Sequence, residues 1–124
     1  MIKYHPAPDI EARIKEIKNR LVMEHVDLER VKCVRSRGSG SRRLLARCHA
    51  LPRIMQFALD SKAHYVVEIV SEQFDSLSEE EQTKTLIHEL MHIPAAFGGG
   101  FRHHRPYVNR RTVEAMYKKY MVMK

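Results

Sequence analysis

No apolar run in this 124-residue chain approaches the roughly 18 residues a membrane-spanning helix needs, so no span is expected. The first twenty residues, MIKYHPAPDIEARIKEIKNR, lack a continuous hydrophobic stretch and mix acids with bases, so they do not read as a signal peptide. Cysteine is scarce: Cys33 and Cys48 are the only two. Two cysteines cannot build a disulfide framework, and neither has the CxxC partner of a thiolate zinc site. Both are therefore expected as small buried hydrophobes in a reducing, cytoplasmic setting. Internal repeats and linker-like segments are also missing, so residues 1–124 are expected to form one domain. With 44% hydrophobic and 30% charged residues, overall disorder is excluded.

What the chain has in excess is positive charge, +7 with histidines neutral. Such a balance invites a polyanion, nucleic acid included, but it also serves solubility and does not choose between them.

Periodicity sets out the elements. Ile10, Ile14, Ile17 and Leu21 share one helical face, predicting a helix over about 9–24 after Pro6 and Pro8. RVKCVRS (30–36) alternates with β-branched content and reads as a strand; RSRGSGSRR (35–43) reads as an exposed turn. Pro52 breaks LLARCHALPRIMQFAL into a strand at about 44–50 and a second extended or short helical piece. HYVVEIV (64–70) carries the strongest β content. Ser78 with Glu81 makes a capping box, Glu79–Glu81 place negative charge at the helix N-terminus, and Pro94 ends this helix. After the glycines at 98–100, Val113, Met116, Tyr117 and Tyr120 predict a last helix over about 107–121. Strands followed by helices imply an α+β fold with a small sheet of about three strands.

The chemistry concentrates in TLIHELMHI (85–93), where His88 and His92 stand four residues apart with Glu89 directly after the first. Four residues on a helix advance about 6 Å and turn about 40°, so the two imidazoles stack on one face and can converge on one ion. Glu89, rotated by about 100°, is too far round to be a natural third ligand but can reach a water on that ion. Leu86, Leu90 and Ile93 lie roughly opposite, so the helix is expected to be buried with its His-Glu-His face on a cleft. Histidines left unpartnered there would cost roughly 1–3 kcal/mol each, a cost a cation removes. A catalytic zinc needs a third protein ligand and an open position. Pro94 and the glycines let the chain swing back, which makes His103 or His104 the source; spacing does not decide between them. Glu114 and Glu68 are carboxylate alternatives, read more simply as surface acids, and His5, His25, His49 and His64 read as local or surface histidines.

HELMHIPAAFGGGFRHH, with the upstream FDSLSEEEQTK, resembles the zincin superfamily and is similar to a group of archaeal and phage metallopeptidases distantly related to SprT-like proteases. The likeness runs from about Cys48 to Tyr107. In that group Arg-Pro-His usually follows the glycines; here Arg102-His103-His104 places His104 at the ligand position and His103 where proline is usual. The metzincin spacing fails because Gly98 occupies its third position. The resemblance implies a zincin-like fold in which an edge strand receives an extended peptide, and residues 64–70 are the candidate edge. The implied activity is a zinc metallopeptidase with His88, His92 and His104 on Zn²⁺ and Glu89 as general base. Arg102, His103 and Tyr107 are candidate oxyanion donors, Tyr107 favoured. Peptide or protein is the implied substrate, with no membrane partner. The alternative is a zinc-stabilised module docking on nucleic acid through the basic loop 35–43 and the NRR of 109–111.

Overall fold

The computed structural model describes residues 1–100, 102 and 107–123. Four strands, β1 (Lys3–Pro6), β2 (Val31–Arg37), β3 (Ala46–Ala50) and β4 (Tyr65–Val70), form one sheet in the order β1-β2-β4-β3. β2 and β4 are parallel, while β1 pairs with β2 and β3 pairs with β4 antiparallel. Five helices complete the α+β fold: α1 (Pro8–Leu21), α2 (Arg53–Ala58), α3 (Ser71–Phe74), α4 (Glu79–Met91) and α5 (Arg110–Val122). Among the described residues, no helix is long and apolar enough to cross a membrane.

The hydrophobic pattern explains the layering. Along β4, Tyr65, Val67 and Ile69 point to one face and are fully buried, and Val31, Cys33 and Ala46 on the flanking strands join them. Onto this face pack the α1 stripe of Ile10, Ile14, Ile17 and Leu21, the α4 residues Leu86, Ile87 and Leu90, and Ile93 just beyond that helix. At roughly 1.5–3 kcal/mol per large apolar side chain taken out of water, these eight are a principal source of stability. Val113 ties α5 to the same cluster. α1 ends as Val22 enters the left-handed region at φ 52, with the Met23 amide donating to the Lys18 carbonyl, a closure usually given to glycine.

Three expectations are corrected. β4 is not an edge: it lies between β2 and β3, and the free edges belong to β1 and β3. Its nearly continuous apolar run is the mark of a strand buried on both faces. Glu68 is not a surface acid either. It sits on the sheet face opposite the helices, 4% exposed, where it accepts from Ser36 Oγ at 2.6 Å and meets His49 Nε2 at 2.8 Å and Arg47 Nε at 3.1 Å. Those partners hold its carboxyl below the usual range despite burial, which pushes the other way. The sheet has four strands rather than about three, because short, exposed β1 adds to β2.

Candidate metal and catalytic site

Helix α4 starts at the residue its sequence marks, with the Ser78 half of the expected capping box in place. The Ser78 hydroxyl accepts from the Glu81 amide at 3.2 Å, and three glutamates occupy the first turn. The helix stops at Met91, and His92 is its C-cap at φ −70 and ψ −19. That backbone remains right-handed, so His92 still stands over His88. Their Nε2 atoms approach to 3.2 Å, with ring centroids 4.9 Å apart and planes at 72°.

At that distance one ring can donate a hydrogen bond to the other, or both can turn lone pairs to a single ion. Two nitrogens bound tetrahedrally at about 2.05 Å sit about 3.3 Å apart, so the separation fits a shared metal. The His92 ring is oriented from behind: its Nδ1 lies 2.8 Å from the Arg102 carbonyl. With the proton on Nδ1, that bond leaves Nε2 as the ligating atom. The Arg102 amide in turn donates to the His92 carbonyl at 2.8 Å. The return after Pro94 thus brings the chain back to the helix end, and Gly99, at φ 103, is one of its pivots. A side chain at Gly99 would collide with Gln56 Nε2 at 2.5 Å and the Leu51 carbonyl at 2.9 Å. The Tyr65 hydroxyl fastens the same turn, accepting from Gly99 N and donating to the Gly100 carbonyl.

Glu89 is 5% exposed. Burial pushes its carboxyl up to about 7, opposed by a hydrogen bond from the Cys48 backbone. One of its oxygens stands 3.8 Å from His88 Nε2. Cys48, expected to be buried, is only half-buried in this neighbourhood, and its thiol is pushed up to about 12 by desolvation first and the nearby Glu89 second, which leaves it unreactive. Cys33 is likewise pushed up to about 12 by burial. A cleft of about 510 Å³ opens beside His88 and Glu89, between the start of β3 (Leu45, Ala46) and α5 (Arg110, Val113, Glu114).

The structure brings His88, Glu89 and His92 together. The remaining ligand candidates, His103 and His104, lie outside the described residues, and among the described residues no three His, Cys, Asp or Glu side chains cluster for a metal. Glu114 is committed to Lys84 at 2.8 Å, and Glu68 lies on the far face of the sheet. His25 reaches the Ile93 carbonyl at 3.2 Å and His64 Nδ1 the Lys62 carbonyl at 2.8 Å, which makes both local fasteners. The Arg102 guanidinium lies 4.8 Å from the centroid of the half-exposed Tyr107 ring, so these two oxyanion candidates stand together. What the motif did not reveal is the support for one of its own residues, the Arg102 carbonyl behind His92. Backbone groups leave no trace in side-chain spacing.

Over residues 2–120 the chain matches the family described as "Putative phage metallopeptidase", and it belongs to that family. The family implies a peptidase that works with a metal. No curated protein and no solved structure matches the chain.

Proposed function

We propose that this chain is a zinc-dependent peptidase in which His88, His92 and His104 hold the ion and Glu89 is the general base. The observation that carries this reading is the 3.2 Å approach of the two Nε2 atoms, with His92 fixed through Nδ1. His103 and His104 follow directly on Arg102, the residue pinned to His92 on both sides of its backbone. When bound, zinc supplies a water of lowered pKa and a Lewis acid for the scissile carbonyl. Glu89, beside His88 and shielded from bulk water, would be the general base, holding the proton between the attacking water and the leaving amine. Tyr107 is the assigned oxyanion donor.

The peptide docks on β3. The Leu51 amide donates to the His64 carbonyl and the Val70 amide to the Leu45 carbonyl, so odd-numbered β3 residues bond inward. Ala46, Cys48 and Ala50 consequently aim their backbone groups outward, with Glu89 beside Cys48. An added strand has these outward groups for pairing.

Native mass spectrometry and peptide cleavage test the reading together. Wild type should carry about one zinc per chain; Glu89→Gln should keep it and lose hydrolysis, and His104→Ala should lose it. Zinc retained by His104→Ala but lost by His103→Ala would transfer the ligand role to His103.

The nucleic-acid reading keeps one supporting observation. Arg37, Arg42 and Arg43 are exposed, and Arg42 and Arg43 pair with no carboxylate among the described residues. Arg35 is committed to Asp9 and Asp75, Asn109 caps α5 and Arg110 lines the cleft, so the patch is narrower than the sequence suggested. DNA affinity of wild type and an Arg37/Arg42/Arg43→Ser variant across a salt series decides it; equal affinities would remove the role.

A further inference from the structure

Immediately after β3 the chain exposes an apolar surface that nothing described covers. On α2 and its C-cap, Ile54 is 76% exposed, Met55 43%, Phe57 90% and Leu59 61%. Scattered exposed apolar side chains need no explanation, but four within six residues form a patch. The helix is not loosely hung. Gln56, its inward residue, donates to the Leu51 carbonyl at 2.9 Å and the Gly98 carbonyl at 3.1 Å, tying α2 both to the end of β3 and to the glycine return that carries Arg102. Pro52 starts the helix, and Asp60, at φ 52, turns the chain away from it. The apolar side chains are thus held out by an anchored scaffold.

We infer that this patch is a docking site for apolar side chains of an extended substrate polypeptide, upstream or downstream of the bond that is cut. The inference rests on the peptidase reading above and on the continuity of α2 with the free edge of β3. Glu89 lies beside Cys48 and lines the cleft with Leu45 and Ala46 at the start of this edge, so the reacting bond belongs near that level. From Cys48 to Ala50 is about 7 Å of strand, the length of about two substrate residues, and α2 begins three positions further on. Substrate side chains roughly three to five residues from the scissile bond meet Ile54 and Phe57. The substrate class is therefore unfolded chain with large apolar residues, the composition that folded proteins hide. A second copy of the protein is a poorer occupant. A stable interface takes roughly 800 Å² per partner, which four side chains on a six-residue helix and its C-cap do not supply.

The test is a double variant, Ile54→Ser with Phe57→Ser, whose thermal melting is checked against wild type. Cleavage is compared on reduced, carboxymethylated lactalbumin, a permanently unfolded apolar-rich chain, and on a quenched peptide too short to reach α2. The ratio of kcat/KM between the long and short substrates should fall about tenfold in the variant, through KM on the long one. The binding arm uses zinc-loaded Glu89→Gln protein with and without the α2 changes, and labelled lactalbumin should bind about tenfold more weakly to the α2 variant. An unchanged ratio and unchanged binding overturn the inference. So does finding that the α2 changes instead abolish dimerisation or binding to anionic lipid vesicles. Binding that needs α2 without any cleavage by wild type would sink the peptidase reading alone and leave the docking site standing.

Discussion

Helices α2 and α4 flank the same strand and are both rich in large apolar residues, yet their fates are opposite. In α4, Leu86, Ile87 and Leu90 are entirely buried; in α2, Ile54 and Phe57 are among the most exposed side chains of the protein. Composition does not separate them. Length and anchorage do: α4 has thirteen residues, a side-chain cap and sheet on one flank with α5 on another, whereas α2 has six residues and a single inward side chain, Gln56. A helix too short to bury a stripe leaves its apolar side chains outside, and the proposed docking gives those side chains a use.

The largest effect that would break this contrast comes from the core. Leu90→Ala should cost about 2–5 kcal/mol in urea unfolding, while Phe57→Ala should stay within about 0.5 kcal/mol of wild type. Similar losses for the two would mean that α2 is packed against something.

Glu89 gives the next effect. Its folded carboxyl is raised from 4.5 to about 7, so between those values the folded chain binds more protons than the unfolded one. Stability of the metal-free protein should then fall as pH rises from about 4.5 to 7, by about 2–3 kcal/mol in all. Glu89→Gln in chelator should lose that slope and be the more stable protein at pH 8. Denaturant midpoints of both proteins across this window check it; parallel curves would show the carboxyl to be better solvated than its burial implies. The smallest effect is at the helix start. Ser78→Ala should cost about 1 kcal/mol, because the Glu81 amide loses its acceptor, and α2 has no such cap to lose.

Much of this contrast was legible beforehand, and the parts that were not have physical reasons. The α1 stripe, the Ser78 cap, the Pro94 stop and the stacked His88 and His92 are local patterns, and local patterns survive folding. Strand order is not local. The β content of HYVVEIV makes it a strand, and the edge role came only with the resemblance; a run apolar on both faces belongs in the middle of a sheet. Glu68 misled because a lone acid in such a run signals solvent unless Ser36, Arg47 and His49 can be seen to surround it. β1, four exposed residues ending in a proline, has no pattern to find. Spacing leaves the third ligand between two adjacent histidines, His103 and His104, which lie outside the described residues.

The paired hydrogen bonds between His92 and Arg102 run in opposite directions, ring to carbonyl one way and amide to carbonyl the other. Neither segment can open without releasing the other, so the last turn of the motif helix and the returning strand of chain form one cooperative unit. In amide hydrogen exchange, the Arg102 amide should therefore share its opening rate with the amides of that last turn, and an ion that steadies either end would slow both.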